Sequence, residues 1–203
     1  RADPAPSSTL GRLFDVTGQL PMFPLNSVLF PGMSLSLHVF EDRYRALVHH
    51  LLTISDRAER VFGVVAIREG YEVGSQGVQS VHRVGCVAQM TTVVPADDGR
   101  FDIEVVGRER FHLLAMDASG PYLVGEVETV PLPRAAPGGS TGEARRTREV
   151  FAAYRQRLSD LRGADVLDVE LPDDPEYLSY TLATTCLLTL RERQALLETS
   201  SAE

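Results

Sequence analysis

LPMFPLNSVLFPGMSLSLHVFEDRYRALVHHLL, residues 20–52, is the stretch whose reading decides the architecture of this chain. Two Phe-Pro steps, Phe23-Pro24 and Phe30-Pro31, punctuate its first half. Proline fixes φ and removes a backbone donor, so neither Pro24 nor Pro31 is expected inside a central strand. Pro31-Gly32 reads as a turn, with Gly32 at positive φ. Beyond it Leu35, Leu37 and Val39 alternate with Ser34, Ser36 and His38, the period of a half-buried strand. Tyr44, Leu47, Val48 and Leu51 then recur at helical spacing. A strand must therefore give way to a helix at Phe40-Glu41-Asp42. No reactive side chain stands out, and the stretch reads as architecture.

Upstream, residues 1–19 are rich in Pro, Ala and Ser and read as a flexible lead. Downstream, VFGVVAI (61–67) is short, β-branched and almost continuously apolar, as a strand buried on both faces should be. The Gly-rich stretch 69–80 reads as a mobile loop. Residues 81–94 are again β-branched, with Gly85 as the place for a bulge. Asp98-Gly99 signals a hairpin into RFDIEVVGR (100–108), where Phe101, Ile103 and Val105 share one face. Gly107 should break that run before a strand over 109–116, and Gly120-Pro121 precedes a last one over 122–130. The expectation is six to seven mostly antiparallel strands with one helix, a small barrel or curled sheet spanning residues 20–133.

At Pro131 the composition shifts to Pro, Gly, Ala and Ser, a linker ending at residue 142. From 143 to 203 the period is helical. Val150, Phe151, Tyr154, Leu158 and Leu161 form a stripe opposite an Arg-rich face. Asp174-Pro175 reads as an N-cap with Pro at the first helical position. The helix it starts, through Leu178, Leu182, Ala183, Cys186 and Leu187, is apolar nearly all round and is expected at the centre of a helical bundle. Thr189 and Glu192 fit a capping box for a further helix. The fold class is thus α+β, a β-rich unit followed by a helical one.

The net charge of −8 disfavours a general binder of nucleic acid or of anionic membranes, since both are polyanions. All 20 basic residues are arginine. The absence of lysine excludes a Walker-type ATPase, a Ser-Lys dyad, a Schiff-base enzyme and a protein kinase. The simplest source of the bias is GC-rich coding. Cys86 and Cys186 each lie in an apolar run, which points to buried free thiols, a reducing compartment and a cytoplasmic protein. No apolar run approaches the ~18 residues of a membrane span, and with no basic stretch before an apolar one no signal peptide is expected in the given sequence.

The histidines (His38, His49, His50, His82 and His112) show no paired metal spacing, and no C-x-x-C, H-E-x-x-H or G-x-S-x-G occurs. Gly138–Gly142 lacks the lysine and the preceding strand of a phosphate loop. Glu41-Asp42 and Asp97-Asp98 fall at a helix start and a hairpin, where acids serve caps and turns. Neither a cofactor nor a metal is expected. Around the start of the first helix, Glu41, Arg43 and Arg45 read first as a cap with a local ion pair, and otherwise as a charged rim beside the Phe-Pro loops.

Residues 20–48 resemble the opening of the LON domain, the N-terminal substrate-recognition domain of ATP-dependent Lon proteases. The likeness continues in FGVVAI (62–67), VGCVAQM (84–90), DDGRFDIEVVGRERFHL (97–113) and PYLVGEVE (121–128), and then in DDPEYLSY (173–180) and RERQALLE (191–198). The resemblance implies a PUA-like β pseudo-barrel followed by a helical bundle, and a role in recognising polypeptide rather than cleaving it. Neither an ATPase module nor a proteolytic domain is recognisable, so a non-enzymatic LON domain is expected, either a stand-alone protein or an excised fragment, with the lack of lysine and the Ala-Pro-Ser lead favouring the stand-alone form. Its partners would be exposed or unfolded polypeptide segments, with a protease or chaperone partner and self-association as further options. The peptide-binding neighbourhood is expected at Met22, Phe23, Phe30, Met33, Glu41, Arg43 and Tyr44. The rival reading is an RNA- or nucleotide-binding PUA-like domain, against which stands the missing basic stripe.

Overall fold

The computed structural model describes residues 18–70, 78–130, 140–163 and 169–199. Its longest strand organises the rest. β6 (Phe101–Asp117) pairs on one flank with β5 (Val84–Pro95). Its other flank is shared between β2 (Ser34–Val39), which pairs with residues 101–106, and β7 (Val124–Val130), which pairs with residues 110–117. Gly107 lies where the second flank changes hands. The expectation that Gly107 breaks the strand is therefore corrected: β6 runs straight through it. Glycine is needed there for a different reason. A Cβ would sit well inside contact distance of the Phe30 carbonyl, because the Phe-Pro loop crosses at this point. Gly32 N–H donates to the Gly107 carbonyl (2.9 Å) and Gly107 N–H donates to that of Met33 (2.9 Å).

β1 (Gly18–Leu25) also exchanges partners. Residues 18–21 pair antiparallel with β7, and residues 22–25 pair parallel with β3 (Val61–Gly70). β3 pairs in turn with β5. The pairings β1–β7–β6–β5–β3–β1 close a ring, so the sheet curls on itself. Pro24 lies inside β1 but not at a central position, in keeping with the expectation. At Pro24 the strand is paired on the β3 side only, so the missing N–H interrupts no second ladder. The 61–67 run is buried at every position, as its pattern requires. Asp98-Gly99 turns the β5–β6 hairpin, with Gly99 at φ 78°. Gly85 pairs in register with Phe111; the irregularities of β5 fall between Cys86 and Ala88 and between Met90 and Thr92, not at Gly85.

α1 (Asp42–Thr53) covers one face of the sheet through Tyr44, Leu47, Val48 and Leu51. Each of these buried side chains contributes about 1.5–3 kcal/mol relative to exposure. Phe23 stacks on Tyr44 at 3.9 Å between ring centroids. Arg45 ties the helix to the hairpin by donating to the Gly99 carbonyl (2.7 Å). A second apolar cluster, which includes Leu20, Met22, Val65, Val87, Phe111 and Leu113, fills the other side of the strands.

A third cluster joins sheet to helices: Val28, Phe30, Ala66 and Val84 meet Tyr180, Ala183 and Leu197. Tyr180 and Ala183 belong to α3 (Pro175–Thr185), and Leu197 to α4 (Leu190–Glu198). α3 thus turns one face to the sheet and is not buried all round, with Leu187 beyond its end 68% exposed. Asp174 accepts from Tyr177 N–H at its start, and the Thr189–Glu192 capping box opens α4. α2 (Ser140–Arg162) buries Phe151, while Val150 and Leu161 of the expected stripe are exposed. The expected linker and the expected 69–80 loop fall largely on residues 131–139 and 71–77, outside the described residues, as do residues 1–17 of the lead.

Two glycine substitutions should move stability in opposite directions. Gly107→Ala should lower it by about 1–3 kcal/mol, because backbone and not a side-chain tip opposes the new methyl. Gly142→Ala, with open space around it in α2, should raise it by up to ~1 kcal/mol. Urea midpoints at unchanged m-value read both.

Candidate functional site

The seven residues singled out around the Phe-Pro loops are divided among three apolar clusters and the surface, and most face inward. Met22, Phe23, Phe30 and Tyr44 are buried. Phe23 and Tyr44 belong to the cluster under α1, Met22 to the cluster on the other side, and Phe30 to the cluster against Tyr180. Met33, Glu41 and Arg43 are half-buried and reach the surface. Glu41 occupies the N-cap position of α1 without capping it through its side chain. Its carboxylate pairs instead with Arg43 (3.1 Å), whose guanidinium lies over the Tyr44 ring at 4.5 Å. The expected local ion pair is there; the side-chain cap at Glu41 is not. Tyr177 lies against Gly32, and the Thr184 hydroxyl approaches the Met33 sulfur at 3.6 Å. The loop and α3 therefore share one surface.

A cleft of about 800 Å³ opens elsewhere, where the sheet meets the end of α4. Arg68, residues 80–84, residues 112–116 and Glu198 line it. Its geometry comes from a sheet that divides. β4 (Val78–Val81) follows β3, and antiparallel pairing along β3 passes from Val64↔Cys86 to Ile67↔Val81 with its register offset by two residues. β4 and β5 thus lie along the same flank of β3, joined through His82-Arg83. Val84 pairs with His112 of β6, but β4 has no pairing with β6. The cleft is the wedge between them.

Arg83 closes the apex of the wedge. Its carbonyl accepts from Leu113 N–H (2.7 Å), and its Nη1 donates to the carbonyls of Leu113 (3.2 Å) and Leu114 (3.0 Å). His82 Nδ1 stands 3.5 Å from Glu198 Oε1, which also accepts from Gln194 Nε2 (2.8 Å). Gln194 is buried, and its Nε2 donates as well to the Val84 carbonyl (3.0 Å). Arg110, 2% exposed, donates through Nη1 to the carbonyls of Leu197 (2.8 Å) and Thr199 (2.7 Å). A buried cation thus satisfies the last turn of α4, where the helix dipole favours positive charge. Leu114 and Met116, both exposed, present apolar surface to the cleft.

Sequence reading did not find this cleft. The available signal was two histidines and two arginines beside a β-branched run, which has no periodic signature. Chemistry of the catalytic kind finds little support in the thiols: burial pushes Cys86 up to about 12, and desolvation raises Cys186 as well. Among the described residues no group of three or more His, Cys, Asp or Glu is placed to hold a metal, and no helix is long and apolar enough to cross a membrane.

The family of the ATP-dependent protease La (LON) substrate-binding domain matches residues 19–203. The chain belongs to this family. It is 29% identical over 184 residues to Lon protease 2 of Syntrophobacter fumaroxidans, covering 89% of this chain and 22% of that protein. It is 28% identical over 193 residues to Lon protease 1 of Thermus thermophilus, covering 91% and 23%. The LON domain here thus spans less than a quarter of the length of these curated relatives. Among solved structures, a Lon N-terminal domain protein from Xanthomonas campestris aligns at TM-score 0.64 and 23% identity, over 92% of this chain and 93% of that one. The N-terminal domain of Mycobacterium avium complex Lon protease aligns at TM-score 0.67 and 20% identity, over 91% and 92%. These two likenesses establish the fold of the LON domain.

Two substitutions in β6, just outside the cleft lining, probe the frame that holds it. Arg110→Met should cost about 2–4 kcal/mol by stranding the last carbonyls of α4, and hydrogen exchange should show its amides losing protection first. Glu109 has its carboxyl raised by burial, so ionisation costs more in the folded chain than in the unfolded one. That penalty is full above the raised folded pKa and absent below the unfolded value of ~4.3. Glu109→Gln should therefore raise the melting temperature at pH 7, and the gain should vanish as the pH is taken below 4.

Proposed function

We propose that this LON domain is a non-catalytic recognition module that takes hold of exposed apolar or unfolded polypeptide segments. The observation that carries the reading is the match of a substrate-binding domain family to residues 19–203. The open cleft beside α4 supports it physically, since an extended segment there covers Leu114 and Met116 while its polar backbone meets polar walls. The Phe-Pro loops supply a second surface at Met33, Glu41 and Arg43. Met22, Phe23, Phe30 and Tyr44 act from below by holding that surface in shape.

In this reading residues 20–133 form a PUA-like pseudo-barrel and residues 143–203 a helical unit, joined by the 134–142 linker and preceded by the 1–19 lead. The module works in the cytoplasm, where its thiols stay reduced, and delivers its clients to a protease or chaperone partner. The clients are polypeptides rather than RNA, because the chain is acidic and lacks a basic stripe.

Fluorescence anisotropy with a labelled, reduced and carboxymethylated globular protein tests the reading. Micromolar binding to that unfolded chain, and none to its native form, is the expected result. The double variant Leu114→Ser with Met116→Ser should weaken binding about tenfold, equivalent to ~1.4 kcal/mol, and Met33→Ser should weaken it less. Binding no stronger than that of an unrelated domain of equal negative charge would sink the proposal.

A further inference from the structure

The wedge beside α4 differs from a general apolar groove in what its two long sides are made of. One side is β4, paired with β3 along one edge and with no strand along the other among the described residues. The facing side is β6 beyond Leu113. There β7 holds one edge, while pairing to β5 has ended at Val84↔His112. β4 runs on through His82-Arg83 into β5, which is the neighbour of β6 as far as Val84, and the Arg83 guanidinium takes the carbonyls of Leu113 and Leu114 at the apex, so the free edge of β6 lies beyond Leu114. A strand edge carries N–H and C=O groups at fixed spacing, and another extended backbone is the group that matches them. The cleft volume of about 800 Å³ lies within the range that pockets use for specific ligands, roughly 300–1,000 Å³.

The charge of the wedge narrows the occupant. Among the described residues Arg68, His82, Arg83 and His112 line it, against the one carboxylate of Glu198, which lies beside His82. With histidine counted as neutral, as in the chain's net charge of −8, two arginines stand against one carboxylate, so the lining is weakly positive on an acidic chain. Its apolar members, Val81, Leu114 and Met116, sit among those basic groups. Among the described residues the lining holds no Phe, Tyr or Trp, the side chains on which the bases of single-stranded nucleic acid stack.

We propose that the wedge between β4 and β6 takes up an extended, acidic polypeptide segment as an added β-strand. The segment's backbone pairs with the free edges, its apolar side chains cover Leu114 and Met116, and its carboxylates face Arg68 and Arg83. The proposal rests on the recognition of polypeptide argued above and adds to it a binding mode and a charge preference.

The test uses the full chain and four rhodamine-labelled probes. These are an octapeptide of alternating Val and Glu, its counterpart with Lys for Glu, the acidic peptide N-methylated at alternate residues, and an octauridylate. The acidic peptide should bind at least tenfold more tightly than the basic one. N-methylation should abolish binding by removing the donors that a strand needs. Arg68→Glu, at an exposed position that leaves the fold intact, should lower affinity about tenfold, and Leu114→Ser about threefold. Equal binding of acidic and basic peptides, undiminished binding after N-methylation, or indifference to Arg68→Glu would each overturn the proposal. Tighter binding of the octauridylate would overturn it in favour of nucleic acid. If no octapeptide binds while the carboxymethylated protein does, the added-strand site falls and the broader reading of the domain stands. If neither binds, both fall.

Discussion

The close approach of the Phe30 carbonyl to Gly107 is the contact on which the rest of the structure depends. A chain that leaves β1, makes a turn and returns as β2 must cross β6 somewhere, and it crosses at the one residue with no side chain in the way. Two backbone hydrogen bonds fix the crossing, from Gly32 to Gly107 and from Gly107 to Met33. That places Phe30 within the cluster that holds Tyr180, Ala183 and Leu197, its ring 5.6 Å from that of Tyr180. The sheet therefore meets its helices through a loop whose path a single absent methyl permits. Backbone is the least adjustable neighbour a new atom can meet, which is why this constraint ranks above any one apolar contact in the core.

The same economy explains how five of the strands close into a ring without a flat, open sheet. β6 changes partner at Gly107, and β1 changes partner between Pro21 and Met22. At each exchange a strand is shared lengthwise by two neighbours, so the ring bends there. Pro24 is tolerated for this reason, since half of β1 behaves locally as an edge. The third exchange occurs at Val84, where the chain from β4 into β5 gains β6 as a second neighbour. Here, among the described residues, no further strand fills the vacated flank. The wedge is thus a consequence of the way the sheet is closed, and not a feature added to it.

What could be read in the sequence was what is local. The alternation of 34–39, the helical stripe from Tyr44 to Leu51, the doubly buried run 61–67, the Asp98-Gly99 hairpin and the Thr189 capping box each declare themselves within a few residues. Gly107 did not, because a glycine that breaks a strand and one that admits a crossing backbone look alike until the crossing partner is known. Tyr44 and Phe23 looked like candidates for contact with a ligand, yet they stack on one another beneath the surface. An apolar side chain before a proline carries no mark of which way it points. The cleft was invisible for the strongest reason: its walls come from residues 68, 80–84, 112–116 and 198, and their meeting is a property of topology alone.

The buried polar groups near α4 connect these points. A cation with almost no exposure is costly to bury unless its hydrogen bonds are met. Arg110 meets that cost with the carbonyls of Leu197 and Thr199, and the helix gains a terminus it could not have completed itself. Gln194 adds a bond from the same helix to the carbonyl of Val84, the residue at which β5 begins and the wedge ends. Glu198, a wall of the cleft, is thereby held by its own helix from one side and by His82 from the other. The position of α4, the point at which β4 and β6 part and the charge of the slot are consequently set by one hydrogen-bonded unit. Apolar contacts alone would fix the distance between helix and sheet while leaving the helix free to slide. Directional bonds to named carbonyls remove that freedom.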